Sequence, residues 1–486
     1  MDGHGPMPKG VDQGGDGPHV APAQKGLLLL VDEKIFRKKF RSRPHVHQRT
    51  EGDGVFIQSE AIRRPGFQQP QHLVEKIHPA LGPDGRKPVH DLDPFCAFSF
   101  LGSMLETFPS ILHRLRLQGE QGNRGFHKVD GKEAMNTPSF LKGLVWLLVP
   151  VWVLSCSPKA EVYKVARPLM GTVVEISAVS DDPRHAAGAI QAAFDEMARL
   201  EAMMSVFRDE SEISRLNREA SSRPVRVSPE LFEVIEMSLA LSRTTRGAFD
   251  ITVGPLMQLW PFYAKEKRLP SAGEIQEVLR RVGYAHVILS PKERTVSFAV
   301  PGMALDLGGI AKGYAIDRAV AVLKERGIGA ALVNAGGDLF AYGEKPGNKP
   351  WRVGLRHPRN PQELLAALPL SDKAIVTSGD YERYFLVDGK RYSHIVDPRS
   401  GVTAQRTASV TIVASSAAYA DGLATGILVL GAEEGLALVE SLPGVQAAVV
   451  TEGEGDELAL QVSKGFQEAY PLDVRHLAAQ RVRLMH

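Results

Sequence analysis

The chain has 486 residues, 43% hydrophobic and 23% charged, with a formal net charge of +2. Such a length exceeds one ordinary domain and permits a sizeable core; the near-neutral charge excludes an obvious nucleic-acid footprint, and the short basic runs Lys34–Arg43 and Lys265–Arg268 read as solvated surface. Two cysteines, Cys96 and Cys156, make no disulfide framework, and neither a zinc-type Cys/His cluster nor a repeat architecture is evident.

Residues 1–134 lack sustained hydrophobic periodicity and are rich in Gly, Pro, His, Arg and Gln, so this stretch is expected to be a disordered or spurious extension. The character changes at Met135. A polar start with Lys142 leads into an apolar run from Gly143 to Leu154, then Ser155 and Cys156. The run is short for a bilayer span, which takes about 20 residues, and suits the apolar region of a secretory signal. Its ending, Val153-Leu154-Ser155-Cys156, resembles a bacterial lipoprotein signal, which implies a lipidated Cys156 and a protein held at the cell envelope, facing the periplasm. Residues 135–156 are therefore expected to be the signal, with translation starting at Met135 and a polar tether beginning at Pro158.

From Glu161 onward strand and helix patterns alternate. Thr172–Ile176 reads as a strand. Asp182-Pro183 and Ser228-Pro229 each pair an N-cap with a proline suited to the first turn, and both open helices; in the first, Ile190, Phe194, Met197 and Met204 follow helical spacing with Glu201 as a polar break. Ile310–Arg326 reads as a helix ended by Gly327, and Ala330–Val333 as a short strand. Tyr384–Val387 and Arg391–Ile395 flank Asp388-Gly389, a hairpin signal. Thr407–Val413 is β-rich, Ala417–Leu430 is a helix of small residues, and Val445–Val450 is a buried strand. The mixed order predicts an α+β fold, a single large mixed α/β domain over 161–470, rather than a doubly wound sheet.

Chemistry concentrates where these elements meet loops. Gly171, in Arg167-Pro168-Leu169-Met170-Gly171-Thr172, permits a sharp entry into a strand. In Leu305-Asp306-Leu307-Gly308-Gly309-Ile310-Ala311-Lys312-Gly313, a glycine pair opens a helix whose N-terminus and Lys312 favour an anion, although the spacing is not that of a Walker A loop. Asp421 and Thr425 share a helix face, offering a carboxylate and a hydroxyl either to Mg²⁺ or to local hydrogen bonds. His394 ends a hairpin strand and is followed by Asp397 and Arg399. Asp250 follows a helix end, where it fits a turn as well as a binding site.

Taken in order with Met204-Ser205-Val206-Phe207-Arg208, Gly247-Ala248-Phe249-Asp250, Asn334-Ala335-Gly336-Gly337-Asp338, Thr377–Arg383 and Ser393–Gly401, these segments resemble the bacterial FAD:protein FMN transferases of the ApbE type, from about Arg167 to about Leu430. The resemblance implies the flavin-transferase fold and an enzyme that moves FMN from FAD to a Ser/Thr hydroxyl of an acceptor protein, with Mg²⁺, releasing AMP. It implies that Met170, Phe207, Ala248, Phe249, Asp250, Asp306, Lys312 and Ile395 line the FAD site. A carbonyl near Gly309, together with Asp421 and Thr425, is implied to hold Mg²⁺, and His394 to accept the hydroxyl proton or orient the acceptor. Phe207 departs from the tyrosine often found at that position, so a hydrogen bond is absent there. The acceptor is expected to be a membrane redox subunit. Alternatives are an FAD pyrophosphatase on the same scaffold and a flavin-holding lipoprotein without chemistry; the combination of Asp421, Thr425 and Lys312 argues against storage alone.

Overall fold

The computed structural model describes residues 56–57 and 159–485, apart from 406 and 454. The expected signal at 135–156 and nearly all of the 1–134 extension lie outside the described residues; Phe56–Ile57 forms a two-residue strand parallel to Val353–Gly354.

One sheet organises the domain. Its strands are β1 (Glu161–Leu169), β2 (Thr172–Ser180), β3 (Ala331–Ala335), β4 (Asp338–Tyr342), β5 (Lys373–Gly379), β6 (Thr407–Ala414), β7 (Gln446–Glu452), β8 (Leu458–Val462) and β9 (Val482–Met485). Their order in space is their order in the chain. Every neighbouring pair is antiparallel except β8–β9, which is parallel. The sheet thus continues past residue 470, with its last strand at Val482–Met485.

The middle strands are buried along almost their whole length, because both faces of the sheet are covered. Period-two alternation divides their side chains between two cores. Val333, Val376, Val410, Ile412 and Val449 belong to the core shared with the helices. Leu332, Ile375, Val413 and Val450 belong to a second core with Trp351, Leu368 and Phe466. Thr407–Ala414 is buried on both faces, with Thr407, Ser409 and Thr411 alternating with Ala408, Val410 and Ile412.

Four helices matter for the site: α1 (Pro183–Met204), α2 (Pro229–Thr244), α3 (Ala311–Glu325) and α4 (Ala417–Leu430). The caps expected from sequence are present: Asp182 accepts from the Arg184 N–H and Ser228 from the Leu231 N–H, each with proline in the first turn. Gly327, with φ of +77°, follows the end of α3. Helix α4 is capped twice, by its own Ser416 and by Asp317 of α3. The Asp317 carboxylate accepts the Ala417 and Ala418 N–H groups at 2.8 and 2.9 Å and the Ser416 hydroxyl at 2.7 Å, a favourable place for an anion. Gly313 lets the two helices touch: a β-carbon there would overlap the Ala417 carbonyl and lie 2.7 Å from the Ala418 nitrogen.

The hairpin expected around Asp388-Gly389 forms as Tyr384–Val387 paired with Lys390–Ser393. Asp388 and Gly389 both have positive φ, as a two-residue turn matching strand twist requires.

Candidate active site

The motif segments gather at one end of the sheet. Met170 and Gly171, with φ of 53° and 70°, form the tight turn between β1 and β2. Gly336 and Gly337 form the turn between β3 and β4, and a β-carbon at Gly336 would run into the Thr172 side chain, so the two turns lie against each other. Strand β5 ends at the same place, with Thr377 beside Asp338: the Thr377 N–H donates to Asp338 Oδ1 at 3.3 Å. The first turn of α3 and the middle of α4 meet these strand ends.

Lys312 donates to Asp338 Oδ2, forming an ion pair with an almost fully buried carboxylate. Burial alone would lower the ammonium pKa; the charges of Asp338, Asp421 and Glu382 outweigh it and raise the pKa above the usual value. Asp421 is 3% exposed. Its Oδ2 accepts the Gly313 N–H at 3.0 Å, and no described residue donates to Oδ1. Burial pushes its pKa up to about 7, and Asp338 adds to the rise while Lys312 opposes it. One turn along α4, the Thr425 hydroxyl lies 3.3 Å from the Ser378 hydroxyl. A β-carbon at Gly309 would lie 3.3 Å from that same Thr425 oxygen and 3.3 Å from the Phe249 ring. Gly309, Asp421 and Thr425 therefore stand around the start of α3, where Ile310 offers no cap of its own and Asp421 takes the Gly313 N–H instead.

His394 is oriented by one carbonyl. Its backbone N–H donates to the Arg383 oxygen at 2.9 Å, and its Nδ1 lies 3.2 Å from that oxygen. A ring nitrogen facing a carbonyl carries the proton, which leaves Nε2 with the lone pair. Burial, helped by the charges of Arg383 and Lys312, lowers the imidazole pKa to about 4, so the ring is neutral at pH 7.

Asp306 closes another side. Its Oδ1 accepts the Gly308 N–H at 2.8 Å, and burial raises its pKa against the opposing effects of that bond and of Arg383. At the mouth, Phe207 is 69% exposed and packs edge-on against Tyr263 with ring centroids 5.1 Å apart. Arg383 Nη1 donates to the Tyr263 hydroxyl at 2.9 Å.

Most of the residues singled out from sequence thus converge: Met170, Phe207, Asp306, Lys312, His394, Gly309, Asp421 and Thr425. Ala248, Phe249 and Ile395 are buried, with Phe249 packed behind Gly309, Gly422 and Gly426. Asp250 is 5% exposed and uses both carboxylate oxygens on the protein: Oδ1 accepts the Thr252 N–H and hydroxyl, and Oδ2 accepts the Tyr284 N–H at 2.7 Å. Sequence reasoning assigned no part to Asp338, Ser378, Tyr263 or Arg383. The Gly336-Gly337 turn marks Asp338 as a strand start, but its partner on α3 lies 26 residues away.

Among the described residues, no group of three or more His, Cys, Asp or Glu is placed to hold a metal. A cation here would take one carboxylate, hydroxyl and carbonyl oxygens, and oxygens from water or ligand, a set that suits Mg²⁺ rather than a soft metal. The Asp421 oxygen that takes no donor among the described residues fits such an ion.

Residues 170–449 match the model of the ApbE family, more than half of the chain. The chain belongs to the ApbE family. Among the relatives of this ApbE-family chain, the FAD:protein FMN transferase of Vibrio cholerae is 35% identical over 306 residues, covering 61% of this chain and 90% of that protein. The FAD:protein FMN transferase of Treponema pallidum is 35% identical over 317 residues, covering 61% and 87%. The crystal structure of the ApbE protein of Thermotoga maritima superposes with a TM-score of 0.59 at 35% identity, covering 64% of this chain and 99% of that one. The apo flavinyl transferase ApbE of Pseudomonas stutzeri gives 0.59 at 32% identity, covering 65% and 99%. The mixed α/β fold expected from the motifs is the fold these ApbE structures share.

Proposed function

We propose that this ApbE-family chain transfers the FMN moiety of FAD to a Ser or Thr hydroxyl of an acceptor protein and releases AMP, in a reaction that requires Mg²⁺. The observation that supports it is the juxtaposition of a neutral His394 with Lys312 and with the oxygen cluster of Gly309, Asp421 and Thr425. The relatives' names supply the substrates.

In this reading the acceptor hydroxyl oxygen bonds to the FMN phosphorus. The bond from that phosphorus to the bridging oxygen breaks, and AMP leaves with the oxygen. The hydroxyl proton passes to His394 Nε2, the nitrogen left free when Nδ1 faces the Arg383 carbonyl. The Gly309 carbonyl, Asp421 and Thr425 would hold Mg²⁺, which when bound neutralises charge on the diphosphate and leaving group. Asp338 keeps Lys312 charged and in place beside Asp421. Alignment and electrostatics carry most of the rate in such transfers. Lipidation at Cys156, holding the enzyme at a periplasmic membrane face near a membrane redox acceptor, completes the proposal.

The test incubates the purified protein with FAD and a candidate acceptor domain, with and without Mg²⁺, followed by intact mass and AMP assay. The expected result is an Mg²⁺-dependent FMN adduct with stoichiometric AMP. AMP and free FMN with no adduct on any hydroxyl-bearing acceptor would replace the proposal with hydrolysis, and bound FAD without turnover would reduce the protein to a flavin carrier.

A further inference from the structure

Positive charge in and around the site is mostly spoken for. Lys312 is paired with Asp338. Arg359 and Arg391 share Asp380, and Arg399 is held by Asp397. Arg383 differs: among the described residues, no carboxylate lies within ion-pair reach of its guanidinium. Its Nη1 donates to the neutral Tyr263 hydroxyl at 2.9 Å. Its Nη2 lies 3.4 Å from where a β-carbon at Gly171 would stand, so it borders the Met170–Gly171 turn. Its charge also acts on both Asp306 and His394. The side chain is exposed, so its charge carries little burial cost, and a guanidinium stays ionised at any working pH.

We infer that Arg383 is an anion-binding residue of this site, whose guanidinium takes a non-bridging oxygen of the dinucleotide's diphosphate. The inference rests on the proposed function for the identity of the anion. Only one N–H of the fork is used by Tyr263, and the remaining donors suit a planar contact with phosphate oxygens. The cation assigned from sequence, Lys312, is neutralised by Asp338; Arg383 supplies the uncompensated charge that a diphosphate needs. Because its own carbonyl orients His394, one residue couples the anion contact to the imidazole at opposite ends of its structure.

The experiment measures FAD affinity by flavin fluorescence for the full chain, the Arg383→Gln variant and the Arg383→Lys variant, without acceptor, at two salt concentrations. Thermal unfolding of each variant reports on folding. Loss of one charge-assisted contact corresponds to about a tenfold weaker Kd for Arg383→Gln, with partial recovery in Arg383→Lys and a shallower salt dependence than wild type. Unchanged FAD affinity in Arg383→Gln overturns the assignment, as does a loss that is independent of salt and not relieved by lysine. A normal FAD affinity with a raised KM for the acceptor would move the contact to the acceptor and equally overturn it. Should Arg383→Gln fail to fold, Arg383→Lys and the wild-type salt dependence still decide. Wild-type protein that binds no FAD would break the proposed function and the inference with it, whereas normal wild-type binding with an unaffected variant breaks the inference alone.

Discussion

Lys312 on α3 and Asp338 at the start of β4 form an ion pair that ties the helix opening the site to the edge of a two-glycine turn. Asp338 is almost fully buried and Lys312 partly so, and each removes the other's electrostatic cost. Truncating either partner strands a charge. Asp338→Ala and Lys312→Ala are each expected to lower stability by about 2–4 kcal/mol, and the double variant to lose less than the two losses combined. Urea denaturation through the full cycle checks this; strict additivity would show that the pair contributes nothing.

Gly313 sits where α3 and α4 cross. A β-carbon there meets the Ala417–Ala418 backbone, which has no soft side chain to move aside. Gly313→Ala is expected to cost about 1–3 kcal/mol and to displace the Asp421 carboxylate that the Gly313 N–H holds. Its turnover should need a higher Mg²⁺ concentration than wild type. A Mg²⁺ titration of activity, alongside thermal melts, separates the two effects.

The metal assignment makes a prediction that needs no catalysis. Mg²⁺ should raise the melting temperature of the wild-type protein by mass action, with about 2.7 kcal/mol of added stability at a hundredfold excess over Kd. Asp421→Asn keeps an acceptor for the Gly313 N–H and loses the charge, so its melting temperature should not respond to Mg²⁺. An equal Mg²⁺ response in both proteins would remove Asp421 from the metal site.

His394 carries a folded pKa near 4, below its ordinary value of 6.5. The imidazole is therefore the free base on both sides of pH 6.5, and the folded protein takes up this proton only well below the pH at which the unfolded chain does. Two consequences follow with the same sign. The rate at saturating FAD and Mg²⁺ should show no loss from His394 protonation through pH 6–7, and the contribution of His394 to stability should fall as pH drops from 6.5 towards 4. His394→Ala should keep FAD binding and lose turnover. A pH–rate profile, with binding measured separately, tests each part.

Local chemistry made much of this legible. Asp182-Pro183 and Ser228-Pro229 announced helix starts, and Asp388-Gly389 a hairpin, because capping and positive φ act within a few residues. The strands at Trp351–Arg356 and Leu364–Leu370 were not anticipated although Pro346-Gly347-Asn348 and Asn360-Pro361 bound them, since each is short and carries a strand-weakening residue inside, Gly354 in one and Pro369 in the other. Orientation within β6 was harder to read: Ser409 and Thr411 alternate with Val410 and Ile412, but burial of both faces leaves that alternation without the usual solvent side. In the site, Asp421 and Thr425 could be read from helical spacing, whereas the Lys312–Asp338 pair and the place of Arg383 depend on strand register. Asp250 shows the reverse difficulty, for a carboxylate in a recognisable motif has both oxygens bound to its own loop.

The sheet runs from β1 to β9 without a strand out of order, so the two chain ends of the domain sit on its opposite edges. At the usual spacing between strands, eight steps separate them by about 38 Å. Residue 156, the lipid attachment point we propose, is only a few residues before β1, while the Met170–Gly171 turn, the Gly336-Gly337 turn and Thr377 all belong to the first five strands. A tether at that edge enters β1 at Glu161, the end opposite the Met170–Gly171 turn, so the reacting end of FAD would stand about 27 Å along the strand from it. Reach, as much as recognition, would then choose among acceptors: hydroxyls held at that height would be modified, and identical sequences lying flat against the headgroups would be spared.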